Sequence, residues 1–181
     1  DDCVWGGLVN PKLAVALTGR RGEALEEYKK VILALNNKVV EEAPADLIIN
    51  THVCRGNYHS TFFSSGAYDG VADLLFGEEN VNAYYLEYDD ERSGGFAPLA
   101  KITGNKKVVL GLVTTKTPKF ENKQSVIARI KEASKYVPLE NLYLSPQCGF
   151  ASCEIGNKLT EEEQWAKLKL VKEIAEEVWE A

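Results

Sequence analysis

Three separated segments of the chain carry side chains that could together hold a metal ion. His52 and Cys54 lie two residues apart, so in an extended chain both side chains point to the same side. Glu87 and Cys148 follow much later in the sequence. One imidazole nitrogen, two thiolates and one carboxylate form a recognised zinc ligand set, because zinc accepts nitrogen, sulfur and oxygen donors in tetrahedral mixtures. The pattern therefore predicts Zn²⁺ as a cofactor, with these four residues as its ligands.

Each of these residues also has an interpretation that involves no metal. Cysteine is often buried as a small apolar residue, and Cys148 could simply pack beside a turn. His52 could be a hydrogen-bonded histidine at the rim of a sheet, and Glu87 a solvated strand end. The remaining cysteines, Cys3 and Cys153, match no ligand position, and we expect packing or surface roles for them.

Apolar residues alternate between helix-like and strand-like spacing along the chain, with turn residues at each change. This alternation of predicted strands and helices is typical of an α/β protein, with roughly 25 to 35 residues for each βα unit. The predicted strands are 46–52, 81–87, 107–114 and 141–145, and the predicted helices are 22–43, 68–76, 96–102, 123–136 and 160–179. The candidate ligands fall near the carboxyl ends of these strands, where parallel α/β proteins collect their functional side chains.

Two arrangements of these elements are open. The 181 residues suffice for one domain, which we predict over residues 1–181. A complete eight-unit barrel takes about 250 residues, so the chain would be the carboxyl-terminal part of a (β/α)8 TIM barrel. The absence of Met and the opening at Asp1 suggest that an amino-terminal part is missing. The alternative is an open doubly wound sheet, although no G-x-G-x-x-G loop follows a predicted strand.

Composition argues against two classes of partner. The chain has 21 Lys and Arg against 27 Asp and Glu, a formal charge of -6, without a basic run that would bind nucleic acid or an anionic membrane. Apolar runs are too short for a spanning helix, and no secretory leader is recognisable. We therefore expect a cytoplasmic protein with reduced thiols and a small-molecule substrate.

Three motifs resemble those of a known enzyme family. They are His52-Val53-Cys54-Arg55-Gly56-Asn57, the segment from Tyr88 to Phe96 that follows Glu87, and Pro146-Gln147-Cys148-Gly149. Over nearly the whole chain, in this order, they are similar to the zinc-site motifs in the carboxyl-terminal barrel of cobalamin-independent methionine synthase. The residue sequence of the first two motifs resembles more specifically that of a shorter bacterial branch described as methionine-synthase-like.

The resemblance implies a barrel with zinc held by His52, Cys54, Glu87 and Cys148. It also implies transfer of a methyl group to a small thiol, most simply homocysteine to give methionine, with 5-methyltetrahydrofolate as donor. Asp1 matches the acidic position that binds the amino group of homocysteine, and Asp2 is its acidic neighbour. Zinc would serve thiol activation, because a free thiol is only a few per cent thiolate at neutral pH and a coordinated one is deprotonated. No residue is predicted as a catalytic acid or base.

One departure from the family pattern leaves alternatives open. Lys116 stands where the full-length synthases have a histidine thought to help protonate the methyl donor. A zinc-dependent methyltransferase with a non-folate donor is therefore a second hypothesis. A third is a non-catalytic thiol- or amino-acid-binding protein with a structural zinc site, since four protein ligands close the coordination sphere. Arg92 could orient Glu87 or a substrate carboxylate, or belong to a surface salt-bridge cluster.

Overall fold

Four parallel strands form one sheet in the computed structural model, which describes residues 1–180. The strands are β1 (Asn50–Val53), β2 (Ala83–Glu87), β3 (Lys107–Val113) and β4 (Leu142–Pro146), and they lie side by side in chain order. The helices are α1 (Cys3–Leu8), α2 (Pro11–Thr18), α3 (Glu23–Glu41), α4 (Ala72–Glu78), α5 (Lys123–Ala133) and α6 (Glu161–Trp179).

The strand order decides between the two predicted arrangements. A doubly wound sheet reverses its order at a switch point, whereas here each strand pairs with the next one along the chain. Parallel connections are almost always right-handed, so consecutive crossovers in one direction place every covering helix on the same face. This is the arrangement of successive βα units in a barrel, and the predicted α/β class is confirmed.

The two faces of the sheet differ in what covers them. One face presents buried apolar side chains that share a core with α3, α4, α5 and α6, among them Tyr84, Leu86, Leu110 and Leu142. The alternate residues lie outside that core, and Tyr85 and Tyr143 are about 40 % exposed. Because side chains alternate along a strand, Glu87 falls on the same face as Tyr85 and opposite to Leu86.

Local sequence explains where several helices begin. The Thr160 side chain accepts from Glu163 N–H while the Glu163 carboxylate accepts from Thr160 N–H, so α6 begins with a capping box. Asn10 caps α2, where Pro11 occupies the first turn. Asp2 caps α1 by accepting from Val4 N–H and Trp5 N–H.

Several predicted boundaries need correction. Strand β1 begins at Asn50 rather than at residue 46, and Leu47 and Ile48 before it are exposed. The predicted helix 68–76 is a 3-10 turn, Tyr68–Gly70, followed by α4, and the segment 96–102 is a 3-10 turn over Ala97–Lys101. Helices α1 and α2 were not predicted. Within residues 1–180, no helix combines the length and apolar character needed to cross a bilayer.

Candidate metal centre

The carboxyl ends of β1, β2 and β4 bring the four candidate ligands together. His52 is in β1 and Cys54 follows that strand, Glu87 is the last residue of β2, and Cys148 follows β4. One donor atom from each side chain can be chosen such that all four atoms lie within 4.8 Å of one another. We call these four residues the metal cluster.

The His52 ring lies between two carboxylates. Its Nδ1 is 2.8 Å from Asp1 Oδ1, and its Nε2 is 3.6 Å from Glu87 Oε1. Nε2 is buried and has no hydrogen-bond partner. If Nδ1–H donates to Asp1, the Nε2 lone pair faces the Glu87 oxygen, and these two acceptors require a proton or a metal ion between them.

Glu87 is buried completely, yet it is held in its charged form. Its Oε1 accepts from Arg55 N–H at 2.8 Å, and its Oε2 accepts from Arg92 Nη2 at 3.0 Å. Burial by itself raises the pKa of this carboxyl, but nearby His52, the hydrogen bond from the Arg55 N–H and the charge of Arg92 lower it below its usual value. The site therefore offers an ionised oxygen without requiring a metal to deprotonate it.

The two sulfurs share a proton in the absence of a metal. A hydrogen bond from the Cys54 thiol lowers the pKa of Cys148 to about 6, against the opposing effect of burial. The same hydrogen bond, together with burial, raises the pKa of Cys54. Near neutral pH the pair therefore carries one negative charge, which is half of what two thiolate ligands need.

This donor set fits a zinc ion. It contains one nitrogen, two sulfurs and one carboxylate oxygen, all close enough to share one tetrahedral centre. The unpartnered Nε2 of His52 is the lone pair that a metal would use, and the Asp1 carboxylate on the opposite nitrogen is the outer partner that metal-bound histidines commonly have. Ligation by these four residues stays a prediction.

Arg92 contacts Glu87, which was one of its predicted roles, and it also belongs to a salt-bridge cluster, which is buried around Arg92 and Asp89 rather than at the surface. Its guanidinium contacts Glu87, and it also pairs with Asp89 at 2.7 Å and with Asp90. Asp1, predicted to bind a substrate amino group, contacts His52 instead in the described structure. Asp2 uses its carboxylate to cap α1 and to accept from Asn36 at 2.9 Å. Substrate binding by Asp1 and Asp2 stays a prediction.

A second group of polar side chains lies at the same edge of the sheet and was not predicted as a unit. We call it the amide cluster: Asn57, Thr115, Lys116, Gln147 and Asn157. Lys116 Nζ donates to Asn57 Oδ1 at 2.8 Å, and Asn157 Nδ2 donates to the same oxygen at 2.9 Å. Asn57 in turn donates to Gly149 O at 2.7 Å, directly after Cys148. The cluster thus joins the segments that follow β1, β3 and β4.

Two cavities flank the metal cluster. One of about 350 Å³ is lined by His52, Tyr85, Pro146 and Cys148, among others, and opens on the less covered face of the sheet. A larger one of about 660 Å³ lies beside Asp89, Lys116 and Arg129 and contains none of the four candidate ligands. Of these two cavities, the smaller one is therefore the one that can bring a ligand to His52 and Cys148.

Similarity to known proteins covers almost the whole chain. The catalytic domain of cobalamin-independent synthase matches residues 34–177. An uncharacterized protein of Bacillus subtilis, YxjG, is 46% identical over 99% of this chain and 47% of its own length. A methionine synthase of Pyrococcus horikoshii is 30% identical over 56% of this chain and 26% of its own length. The chain thus spans about half the length of YxjG.

Solved structures agree with these sequence relatives. A putative vitamin-B12 independent methionine synthase from Listeria monocytogenes superposes with a TM-score of 0.70 at 40% identity, over 99% of this chain and 47% of its own. A B12-independent methionine synthase from Shewanella, in complex with selenomethionine, gives 0.67 at 23% identity, over 84% of this chain and 44% of its own, which supports the fold. The predicted carboxyl-terminal part of a (β/α)8 barrel is confirmed. The chain belongs to the cobalamin-independent methionine synthase family, within its catalytic domain.

Proposed function

We propose that this chain is the zinc-binding part of an enzyme that transfers a methyl group to a small thiol, most simply homocysteine. The observation that carries the proposal is the metal cluster, in which donor atoms of His52, Cys54, Glu87 and Cys148 lie within 4.8 Å of one another. Family membership supports methyl transfer as the reaction class. A bound zinc ion would supply the positive charge that keeps an acceptor thiol deprotonated at neutral pH.

The chain's own residues prepare this site in three ways. Asp1 fixes the ring of His52 through Nδ1, which leaves Nε2 free for the metal. Arg92 and the Arg55 N–H hold Glu87 ionised and in place. With two thiolates, one carboxylate and a zinc ion, the cluster would have a net charge of about -1. This negative charge favours a nucleophilic sulfur over an electrophilic metal. Such a site suits attack on a methyl carbon.

The acceptor would enter through the cavity of about 350 Å³ beside Cys148. Tyr85 and Pro146 give this cavity apolar contact surface, and His52 and Cys148 bring the metal cluster to its wall. A short amino-acid side chain ending in a thiol would reach the cluster from this side, with Asp1 available to its ammonium group. We propose the cytoplasm as the compartment, because all four cysteines are free and the cytoplasm keeps thiols reduced.

A second candidate keeps the thiol acceptor and changes the methyl donor from 5-methyltetrahydrofolate to a non-folate compound such as a methyl corrinoid. The position of Lys116 favours it. The Lys116 ammonium is nearly buried and donates to Gly56 O at 3.0 Å and to Asn57 Oδ1. Burial lowers the pKa of Lys116, but its hydrogen bonds already engage it within the amide cluster rather than presenting it to a leaving group.

The test of the proposal combines zinc content with methylation of homocysteine. We expect about one tightly held zinc ion per chain and formation of methionine, both lost in Cys54→Ser. Cys153→Ser is the matched control, because Cys153 is a free cysteine that does not belong to the metal cluster. Zinc-free wild type, or unchanged methylation in Cys54→Ser, would contradict the proposal. Comparing 5-methyltetrahydrofolate with methylcobalamin in the same assay identifies the donor.

A further inference from the structure

Cys54 belongs to a second group of donor atoms besides the metal cluster. One oxygen of Asp1 and the sulfurs of Cys3 and Cys54 lie within 4.8 Å of one another. Asp1 and Cys3 are exposed, whereas Cys54 is buried. The Cys54 sulfur thus has the other three members of the metal cluster near it and, in addition, one free thiol and one carboxylate at the surface.

The backbone holds this second group in place. Asp2 N–H donates to His52 O at 2.8 Å, and Cys54 N–H donates to Asp2 O at 3.2 Å, so the residue between Asp1 and Cys3 is fixed against the end of β1. Helix α1 begins at Cys3 and packs closely on the same segment. A Cβ on Gly6 would lie 2.0 Å from Cys54 O, so only glycine allows this approach. The proximity of Cys3 to Cys54 is therefore built into the fold.

The chemistry of the group selects the kind of ligand. Two sulfurs and one carboxylate oxygen suit a thiophilic divalent cation and discriminate against Mg²⁺ and Ca²⁺, which prefer all-oxygen sites. Three protein donors leave one of four tetrahedral positions open to solvent, so such an ion would exchange more readily than one with four protein ligands.

Charge also favours a second cation. With zinc in the metal cluster the net charge there is about -1, and the Asp1 carboxylate lies directly beside it. Deprotonated Cys3 and Asp1 together contribute -2, which one divalent ion neutralises. Binding of a second ion with loss of the Cys3 proton therefore changes the net charge of the two sites together from about -2 to about -1, which lowers the repulsion between the metal cluster and the Asp1 carboxylate.

We propose that Asp1, Cys3 and Cys54 form a second, weaker and exchangeable site for a thiophilic divalent cation such as Zn²⁺ or Cd²⁺. The Cys54 sulfur bridges the two ions. When the second ion binds, a metal–sulfur bond forms at Cys3 and the thiol proton of Cys3 passes to solvent. This site goes beyond the proposed methyl transfer, because it requires Cys3, which has no part in that reaction.

The test is equilibrium dialysis of the zinc-loaded chain against increasing free Zn²⁺, with bound metal counted by elemental analysis. We expect wild type to rise from one to two ions per chain, Cys3→Ser to stop at one, and Cys153→Ser to reach two. Asp1→Asn should need a higher free Zn²⁺ concentration for the second ion. Wild type that stops at one ion, or Cys3→Ser that still reaches two, would overturn the proposal.

A spectroscopic readout separates coordination by Cys3 from nonspecific uptake. Cd²⁺ added to the zinc-loaded chain should increase the ultraviolet thiolate-to-cadmium absorption more in wild type than in Cys3→Ser, by the contribution of one sulfur. Millimolar Mg²⁺ should leave both the second ion and this absorption unchanged. Displacement of the second ion by Mg²⁺, or equal absorption in the two proteins, would show that Cys3 is not a ligand.

Discussion

The metal cluster and the amide cluster lie at the same edge of the sheet but are held in opposite ways. In the metal cluster, buried Glu87 is balanced by Arg92, and the two sulfurs carry only part of the charge that two thiolates would have. In the amide cluster, Lys116 is the sole ionisable member, and its ammonium is satisfied by neutral oxygens. The first is the arrangement that the proposed zinc ion would complete, whereas the hydrogen bonds of the second require no ligand.

This difference indicates that the metal cluster serves ligand binding and that the amide cluster serves stability. The metal cluster retains an unpartnered buried nitrogen, His52 Nε2, which costs free energy unless a ligand uses it. The amide cluster uses its hydrogen bonds to tie the segment after β1 to the segments after β3 and β4. Substitutions in the first should therefore alter metal affinity, and those in the second should alter stability.

The largest effect is expected from removing one sulfur of the metal cluster. Cys148→Ser should weaken zinc binding by more than about 100-fold, because losing an outer partner of a ligand alone costs about 10- to 100-fold. Its metal-free stability should change by less than about 1 kcal/mol, since serine has nearly the same shape. Competition with a chelator measures the zinc affinity, and urea unfolding measures the stability of the metal-free chain. Equal zinc affinity in Cys148→Ser and in the control Cys153→Ser would remove Cys148 from the site.

A substitution in the amide cluster should lower the stability of the fold rather than the affinity for zinc. Asn57→Ala removes the hydrogen bonds that Asn57 makes with the Lys116 ammonium, with Asn157 Nδ2 and with Gly149 O, and we expect a loss of about 2–4 kcal/mol in the free energy of unfolding. The matched control is Asn105→Ala, which removes one exposed hydrogen bond, accepted from Asn141, with an expected loss of about 0.5 kcal/mol or less. Urea unfolding of the metal-free proteins tests this. Similar stabilities for the two variants would show that the amide cluster does not hold the segments together.

An intermediate effect on zinc is expected at Asp1. Asp1→Asn keeps a hydrogen bond to His52 Nδ1 but removes the charge that makes the ring a better donor, so zinc affinity should fall by about 10-fold. Asp46→Asn, in the exposed turn before β1, serves as the control for a lost surface charge. If both variants lose affinity equally, the Asp1 effect is long-range electrostatics rather than support of His52.

The last prediction concerns pH rather than a substitution. Because the pKa of Cys148 is lowered to about 6, zinc displaces one proton from the sulfur pair above that pH and two below it. Zinc affinity should therefore fall about 10-fold per pH unit between pH 8 and 6, and about 100-fold per unit below pH 6. Competition titrations across this range measure the slope. A fall in zinc affinity of about 100-fold per pH unit over the whole range would mean that both thiols remain protonated in the metal-free chain.

The contrast between the clusters also marks what the sequence could predict. His52, Cys54, Glu87 and Cys148 could be grouped because the carboxyl ends of parallel strands meet at one edge, and residue type indicates the metal. The boundaries of β1 could not be predicted, because Leu47 and Ile48 look like strand residues but remain exposed. Their position depends on tertiary contacts that apolar periodicity does not report.

Other parts of the site leave no local signal. Asn157 bonds to Asn57 across 100 residues of sequence, and neither stands in a periodic pattern. Helix α1 has only six residues, two of them glycine, so its propensity is low, and it forms because Asp2 caps it and Trp5 is buried. The approach of Cys3 to Cys54 follows from this helix, which explains why Cys3 matched no ligand pattern.

X-ray absorption at the zinc edge, before and after addition of homocysteine, tests the central claim most directly. We predict two sulfur neighbours with nitrogen and oxygen completing four ligands in the chain carrying one zinc ion, and a third sulfur once homocysteine binds. A shell that stays at two sulfurs in the presence of saturating homocysteine would assign zinc a structural role and contradict thiol activation at this centre.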